Sequence, residues 1–219
     1  MTRQNILLTV DSLIFTIINQ KLQLLLIKRL TEPFKDMRAI PWWFVLEDED
    51  TLQAAYRELE EETNLRNVYL EQLYTFSKID RDPRWRVVSV AYLAIVNNKN
   101  VTLKAGTDAK EAKFFPIDKL PKLAFDHKDM VMWWVKRLKS KLEYTNLAQF
   151  LLPEKFRFSD LQEIYEIIFS QRFDVRNFRK KIEKLDIIRE TWEKEIGVNH
   201  RPGKLFEFKN KNVEIVDII

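Results

Sequence analysis

The sequence predicts an α+β protein of two domains, and three observations support this prediction. Apolar runs rich in β-branched residues alternate with amphipathic helices as far as about residue 142. The stretch from Tyr144 to Pro153 is typical of a connector and ends in a proline. Two closely spaced helices and two short strands follow it. We therefore expect a first domain over residues 1–149 and a second over residues 150–219.

The overall composition is that of a globular protein and excludes several kinds of site. The chain has 219 residues, of which 46% are hydrophobic and 32% charged, so it can bury a substantial core. It contains no cysteine, which excludes disulfides, zinc ribbons and thiol nucleophiles and agrees with a reducing cytoplasm. No apolar run approaches the ~20 residues that span a bilayer. We therefore expect a cytoplasmic protein without membrane contact. The net charge of +4 allows a polyanionic partner without requiring one.

Apolar and β-branched segments predict the strands of the first domain, and the first two strands form a hairpin. The segment Thr51–Thr63 lacks Gly and Pro and has an apolar stripe, which predicts a helix. Asp126 is expected to cap a second helix from His127 to about Leu142. The expected strands are Ile6–Ile18, Lys21–Arg29, Val68–Phe76, Val87–Val96 and Ala112–Phe115.

The second domain has the order of elements that winged helices show. Ser159 is expected to cap a helix that ends near Phe169, and Asp174 a second helix that ends near Leu185. Only a short turn separates the two helices, and a strand hairpin follows them. This helix–turn–helix–hairpin order is that of DNA-binding winged helices. The two strands are expected at Ile187–Thr191 and Lys204–Phe208.

The second of these helices carries a concentrated positive charge. Between Arg172 and Lys184 there are six basic residues and two acidic ones. Phe178, Ile182 and Leu185 recur at helical spacing and are expected to face the core, which leaves the basic side chains outside. Arg and Asn near the start of a recognition helix contact base edges, and lysines contact phosphates. The alternative is a basic face that is merely solvated. The residues that we expect to bind double-stranded DNA, two of them in the loop between the strands, are Arg176, Asn177, Arg179, Lys180, Lys181, His200 and Arg201.

The helix predicted at Thr51–Thr63 carries a cluster of carboxylates. Glu58, Glu61 and Glu62 are spaced i, i+3 and i+4, so they share one helix face. Repulsion among these carboxylates destabilises the helix unless a cation binds there. The alternative is an acidic face exposed to solvent.

Segments in both halves of the chain resemble one family. In the first half, Arg57–Leu65 with Glu49 before it resembles the Nudix box, whose carboxylates hold Mg²⁺ in hydrolases. Ile79–Arg84 and Leu123–His127 resemble the same proteins. Over roughly its whole length, the chain is similar to Nudix-related transcriptional regulators of the NrtR type. The segments of the second half that carry this similarity are Leu151–Phe156, Ser159–Glu166, Asp174–Lys181 and His200–Phe206.

The resemblance implies a Nudix-like α/β/α sandwich with a mixed sheet, followed by a winged helix-turn-helix domain. It also implies a ligand-responsive regulator, more commonly a repressor, that binds a DNA operator as a homodimer. The effector would be ADP-ribose, a related nucleotide or a sugar metabolite. The candidate effector-binding residues are Arg29, Arg81 and Arg84.

The resemblance leaves open an alternative function, a Mg²⁺-dependent Nudix hydrolase of ADP-ribose-like nucleoside diphosphate derivatives. Glu58, Glu61 and Glu62 would then be the metal-binding and catalytic residues. This alternative explains the carboxylates but leaves the basic helix without a role, so we expect a regulator rather than an enzyme. A non-catalytic module that binds RNA or protein has no specific support in the sequence.

Tryptophan stands at several positions where the family has glycine. Trp42 and Trp43 replace the two glycines of a Pro-Gly-Gly-Phe-Val segment, and Trp85 and Trp192 lie at or near further glycine positions. The chain has 3 glycines and 6 tryptophans, whereas ~7% glycine is usual. Either bulky side chains have remodelled the pocket and hydrolysis is lost, or UGA codons that specify glycine have been read as tryptophan. UGG codons at these positions would exclude the second explanation.

Overall fold

The computed structural model describes residues 5–64, 68–101, 103, 109–195, 197 and 202–219. Helices and strands are both present, which confirms the expected α+β class. The chain forms two compact units: the first comprises the residues up to Thr16 and Leu22–Trp133, and the second comprises Ile17–Lys21 and Trp134–Ile219. Among the described residues, no helix combines the length and the apolar character needed to cross a membrane. The domain boundary expected after residue 149 stays a prediction.

The first unit contains the mixed β-sheet that the resemblance implies. The strands are β1 (Leu7–Ile18), β2 (Lys21–Arg29), β3 (Arg38–Ala39), β4 (Trp42–Phe44), β5 (Tyr69–Phe76), β6 (Val87–Ile95) and β7 (Ala109–Pro116). Their order is β3-β2-β1-β6-β5, with β4 paired to β1 and β7 paired to β2. Strand β1 runs parallel to β6, whereas β5 is antiparallel to β6 and β7 is antiparallel to β2. Each strand that the sequence predicts for this unit is present. Strands β3 and β4 span only 2 and 3 residues and are too short to show the alternation that predicts a strand.

Helix α1 (Thr51–Thr63) covers part of this sheet and has the predicted bounds. The Asp50 carboxylate accepts hydrogen bonds from the backbone N–H groups of Leu52 and Gln53, and the side-chain oxygen of Gln53 accepts one from the backbone N–H of Asp50. This reciprocal capping box fixes the start of the helix. Asn64 ends it in the left-handed conformation with φ of 56°, which asparagine tolerates. Buried side chains of α1 that pack with the sheet are Ala54, Ala55 and Leu59.

Helix α2 (His127–Tyr144) begins in the first unit, and its residues from Trp134 onward belong to the second. Its start agrees with the sequence. The Asp126 carboxylate, expected as the helix cap, accepts hydrogen bonds from the Arg81 guanidinium. Asp126 therefore ties the beginning of α2 to another segment of the first unit.

The second unit contains the predicted winged-helix elements. Strand β8 (Phe156–Arg157) precedes α3 (Phe158–Phe169) and α4 (Val175–Leu185), and β9 (Ile188–Lys194) and β10 (Lys204–Phe208) follow. The three strands form a sheet of order β8-β10-β9. Aromatic side chains from α3, α4 and β10 meet in the core of this unit. The Phe158 ring lies 6.0 Å from the rings of both Phe178 and Phe206.

The caps of α3 and α4 differ in how well the sequence predicts them. The expected cap at Ser159 is wrong, since α3 already begins at Phe158 and its N-cap residue is Arg157. The backbone N–H of Arg157 donates to the Asp160 carboxylate at 3.0 Å, so the acidic residue inside the helix compensates for the missing hydroxyl cap. The expected cap of α4 is confirmed, because Asp174 accepts from the backbone N–H of Asn177 at 2.8 Å.

Trp192 in strand β9 has a backbone conformation that suits glycine. Its φ is 63°, and its side chain is 87% exposed. A residue with a Cβ atom loses roughly 1–2 kcal/mol in the left-handed region. Trp42 and Trp43 differ from it, since they lie in strand β4 paired to β1. The backbone conformation thus argues for an original glycine at Trp192. It does not distinguish tryptophan from glycine at positions 42 and 43, where the space that the side chains occupy is the relevant evidence.

Candidate functional sites

Helix α4 presents a basic face to solvent. Phe178 and Ile182 are buried, with 5% and 0% of their surfaces exposed, as their spacing predicts, and Leu185 is half-buried. The opposite side of the helix exposes Arg176 and Asn177 in the first turn. Lys180 and Lys184 are exposed further along. This arrangement places a guanidinium and a side-chain amide on the exposed face at the N-terminal end of the helix, where recognition helices contact bases.

Two of the predicted DNA-binding side chains have partners inside the protein. The Arg179 guanidinium lies 4.3 Å from the centre of the Phe158 ring and 3.5 Å from Glu183. Lys181 Nζ lies 2.8 Å from the Asp217 carboxylate. These contacts hold the two cations beside α4 and reduce their freedom to adapt to a base. The predicted loop residues His200 and Arg201 lie outside the described residues.

Two of the predicted effector-binding residues meet in a cluster of aromatic rings in the first unit. We call this set the arginine–aromatic cluster: Arg29, Arg84, Trp42, Trp85 and Phe125. The Arg29 guanidinium lies 4.8 Å from the centre of the Phe125 ring and 5.6 Å from that of Trp42. The Arg84 guanidinium lies 4.3 Å from Trp85, 5.8 Å from Trp42 and 5.9 Å from Phe125. Both cations therefore contact the same two rings, and the face of an aromatic ring attracts a cation.

Hydrogen bonds fix both arginines of the cluster. Arg29 donates to the backbone carbonyls of Pro33 and Thr31, at 3.0 and 3.3 Å. Arg84 forms a two-point pair with Asp82, with Nε–Oδ1 and Nη2–Oδ2 distances of 3.0 and 2.8 Å. Burial raises the pKa of Asp82, but the hydrogen bonds from Arg84 outweigh it and hold the pKa below its usual range. The charged pair is therefore maintained at neutral pH, and both guanidinium groups are ordered in advance of any anion.

The cavity beside these arginines is small. It has a volume of about 130 Å³, and its lining includes Trp42, Trp43 and Trp85 together with both arginines. Pockets for ligands of moderate size usually measure roughly 300–1,000 Å³. A nucleotide therefore does not fit within this cavity, whereas a second cavity of about 590 Å³ is lined by Asp82, Arg84 and Trp85 among others.

The third predicted effector residue, Arg81, lies in a buried ionic network and lines a narrow cavity together with Trp42 and Phe125. Its side chain is only 6% exposed. It makes a two-point pair with Asp126, with Nε–Oδ2 and Nη2–Oδ1 distances of 3.1 and 3.0 Å, and its Nη2 lies 3.3 Å from Asp11 Oδ2. Ser89 also donates to Asp11. With its donors engaged by protein carboxylates, Arg81 is placed to hold segments of the protein together, and direct contact with an effector stays a prediction.

The sequence alone did not identify several residues that complete these sites. Asp126 was expected only as a helix cap, and Phe125 and Asp11 had no predicted role. The pairing register explains why Asp11 and Ser89 lie close together. Strand β1 runs parallel to β6 and places Asp11 opposite Ala91, two residues after Ser89. That register depends on long-range packing, which local patterns do not reveal.

His127 lies in the same network and is neutral. Burial lowers its pKa from 6.5 to about 3, against the opposing effect of Asp126, and Arg81 and Arg29 lower it further. Its Nδ1 accepts a hydrogen bond from the backbone N–H of Ile40 at 3.0 Å, and its Nε2 lies 3.7 Å from Asp11. An imidazole that accepts at Nδ1 carries its proton on Nε2.

Acid is expected to destabilise the protein through His127. Between about pH 3 and pH 6.5 the unfolded chain binds a proton at this residue and the folded protein does not, so the free energy of unfolding falls as the pH falls. From pH 7 to pH 5 the loss amounts to about 2 kcal/mol. Chemical denaturation of the protein and of His127→Asn at both pH values measures it, because asparagine can keep an acceptor near Ile40 without titrating.

The difference between the stability losses of the wild type and of His127→Asn gives the contribution of His127 alone. Burial raises the pKa of Asp11, although Arg81 and Ser89 lower it, so Asp11 has the opposite effect and favours the folded state at low pH. That contribution is present in both proteins. Equal losses of stability on acidification in the two proteins would contradict a neutral, buried His127.

Two of the predicted metal-binding carboxylates of α1, those of Glu58 and Glu61, lie beside the Arg57 guanidinium, and magnesium binding by this helix stays a prediction. Glu58 is completely buried and paired with Arg57, and Glu61 is 54% exposed and lies 3.8 Å from the same arginine. Arg57 also binds Glu49 at 2.6 Å. Within the described part of the chain, no three His, Cys, Asp or Glu side chains are grouped so that they could hold a metal ion; the side chain of Glu62 is not described. Arg57 thus provides the cation that the sequence requires on this helix face.

Comparisons with known proteins identify both domains. The NUDIX domain model matches residues 8–134, and the model of the NrtR DNA-binding winged helix domain matches residues 148–208. The ADPR responsive transcriptional repressor NtrR of Acinetobacter baylyi is 35% identical to the chain over 206 residues, which is 92% of this chain and 82% of the relative.

Two solved structures extend the comparison. The structure of Shewanella oneidensis NrtR complexed with a 27mer DNA matches with a TM-score of 0.82 at 31% identity, covering 92% of this chain and 93% of that one. The NUDIX domain of Shewanella oneidensis NrtR complexed with ADP ribose matches with a TM-score of 0.56 at 33% identity, covering 63% and 90%. The Nudix fold, the winged helix with its exposed basic helix, and these matches lead to one conclusion: the chain belongs to the Nudix-related transcriptional regulators of the NrtR type.

Proposed function

We propose that the protein is a transcriptional repressor that binds an operator through its winged helix and is regulated by an effector bound to its Nudix unit. The exposed basic face of α4 is the observation that carries this proposal, since Arg176 and Asn177 lie free of the core at the end of the helix that meets DNA. Similarity to a repressor along 92% of the chain supports it. The similarity to this bacterial repressor also supports a cytoplasmic location.

The proposed effector is ADP-ribose, with a related nucleotide or a sugar metabolite as the wider class. Arg29 and Arg84 offer two fixed guanidinium groups, which suit the two phosphates of a nucleoside diphosphate. A relative's NUDIX domain, 33% identical to this chain, has been crystallised with ADP ribose.

We further propose that the repressor acts as a homodimer. Winged-helix proteins of this kind read two half-sites about one helical turn apart, and two-fold symmetry of the protein then matches that of the operator. Sedimentation of the free protein and of its DNA complex tests this. Binding of a single chain to one half-site with full affinity would contradict it.

A gel-shift experiment tests the proposed function directly. The protein should retard the upstream region of its own operon and release it when ADP-ribose is added. The affinity should fall steeply as salt rises, since lysine contacts to phosphates release counterions. A fragment of equal length from inside a coding region is the control. Equal affinity for both fragments, or an operator complex indifferent to every nucleotide and sugar ligand tested, would overturn the proposal.

The hydrolase alternative and its cofactor Mg²⁺ are tested in the same preparation. Turnover of ADP-ribose that depends on Mg²⁺ and disappears in Glu61→Gln would assign an enzymatic activity to α1. We expect no turnover, because Arg57 neutralises Glu58 and Glu49 where a metal would have to bind. Turnover that survives Glu61→Gln would indicate a contaminating hydrolase.

A further inference from the structure

The loop that follows β5 faces two different parts of the first unit. Arg81 near its start is buried against the beginning of α2 through Asp126. Arg84, three residues later, reaches the arginine–aromatic cluster. Between them Asp82 holds Arg84 by both the backbone N–H and the guanidinium, at 2.9 and 3.0 Å. A displacement of Arg84 therefore acts on a short, internally bonded segment that also carries Arg81.

A second connection runs through Phe125 and Asp126. The Phe125 ring contacts both cations of the cluster. The next residue, Asp126, accepts two hydrogen bonds from Arg81. Phe125 has a φ of 52°, a conformation that is unfavourable for a residue with a side chain and that persists only under tight constraint. The residue that contacts the two cations is thus also a strained residue directly before α2.

Arg81 extends its contacts into the helix itself. Its Nη2 lies 3.5 Å from the sulfur of Met130, a buried residue in the first turn of α2. On the other side the same nitrogen lies 3.3 Å from Asp11 in strand β1. Helix α2 continues without interruption to Tyr144, and the part from Trp134 onward belongs to the second unit. One guanidinium therefore joins the sheet, the loop and the start of the helix that leads toward the DNA-binding elements.

We propose that Arg81 is a positioning residue that transmits effector occupancy from the arginine–aromatic cluster to helix α2. This rests on the effector role proposed above. An anionic ligand draws Arg29 and Arg84 from the Phe125 ring, because a phosphate binds a guanidinium more strongly than a ring face does. Phe125 is then released from its strained position, and the two-point Arg81–Asp126 pair carries the displacement into the first turn of α2.

Replacing Arg81 by lysine tests this role. Lysine keeps the positive charge but cannot form the two-point pair with Asp126. In the wild-type protein, saturating ADP-ribose should lower operator affinity by roughly 5- to 150-fold, the usual range of allosteric coupling. In Arg81→Lys the operator affinity without ligand should change less than about 3-fold, while the loss of operator affinity at saturating ADP-ribose should shrink to less than about 2-fold.

Arg86→Lys is the matched control. Arg86 lies in the same loop and donates two hydrogen bonds, at 2.8 and 3.1 Å, to the backbone carbonyls of Ser77 and Lys78. This variant should keep the full response. An Arg81→Lys protein that responds as strongly as the wild type would overturn the proposal.

Hydrogen exchange of the unaltered protein provides a measurement that does not depend on how well a variant folds. On addition of ADP-ribose, the backbone amides of residues 127–133 should change their exchange rates. Ligand binding that releases DNA while these amides stay unchanged would contradict a route through Arg81. A wild-type protein that binds operator but ignores ADP-ribose would instead remove the proposed effector, and with it the basis of this inference.

Discussion

Replacing Arg176 by alanine is expected to weaken operator binding by about 1–3 kcal/mol, or roughly five- to 150-fold, and to relax base preference at one position. Arg176 is exposed in the first turn of α4, where a guanidinium can form a two-point contact with a guanine edge. Truncation removes that contact without disturbing the core, since Phe178 and Ile182 hold the other side of the helix. Binding to the operator and to single-base variants of each half-site measures both effects.

Two companion variants separate base recognition from general attraction. Lys180→Ala should weaken binding about equally for all sequences and reduce the slope of affinity against salt by about one phosphate contact. Lys122→Ala removes an exposed lysine of the first unit and should leave binding unchanged. If Arg176→Ala binds as tightly as the wild type, α4 does not lie in the major groove as proposed.

The elements that the sequence predicts well are those with a complete local pattern. Helix α4 combines a capping aspartate at Asp174, an apolar stripe and charged residues opposite to it, and each of these acts within a few residues. Helix α3 shows the limit of such patterns. Its start depends on whether Ser159 or Asp160 satisfies the free backbone N–H groups, and the carboxylate of Asp160 does so from inside the helix. Either residue type predicts a helix start, and the packing of Phe158 decides between them.

The geometry of the proposed effector site was only partly predictable, because it joins distant segments. Arg29 and Arg84 were both candidates from the sequence, and the structure brings them together at Trp42 and Phe125. Arg81 lies in the same loop as Arg84 yet is buried with Asp126. Nothing in the local sequence separates an arginine that faces a cavity from one that pairs with a carboxylate 45 residues away. The register of the sheet and the position at which α2 begins determine which of the two arginines is buried against a carboxylate.

The acidic face of α1 shows how a correct pattern can lead to an incomplete interpretation. The spacing of Glu58 and Glu61 requires a neighbouring cation, and the structure provides Arg57 from the same helix. The hydrogen bonds that Arg57 donates to the Glu49 carboxylate raise the pKa of Arg57 above its ordinary value, against the effect of burial. An always-charged arginine thus stabilises the carboxylates, which is why their spacing alone does not establish a metal site.

Replacing Trp42 and Trp85 together by glycine is expected to raise the affinity for ADP-ribose by about tenfold, or about 1.4 kcal/mol. The two side chains line a cavity of about 130 Å³, which is smaller than the roughly 300–1,000 Å³ of typical ligand pockets. Their removal enlarges it. Their rings also lie against the guanidinium groups of Arg29 and Arg84, so their loss frees both cations to bind phosphates. Isothermal titration of the protein and the double variant with ADP-ribose measures the gain.

The matched control is Trp192→Gly, which removes an exposed tryptophan of strand β9 in the second unit and should leave ADP-ribose affinity unchanged. A loss of affinity in the double variant would mean that Trp42 and Trp85 contact the ligand, and that a remodelled aromatic pocket is the functional one. A gain would mean that the side chains obstruct the site, which is the outcome expected if glycine is the residue that functions at these positions. The codons then identify the cause: UGA at positions 42, 43, 85 and 192 would point to glycine misread as tryptophan, in agreement with the φ of 63° at Trp192, whereas UGG would show that the narrowed pocket is genuine.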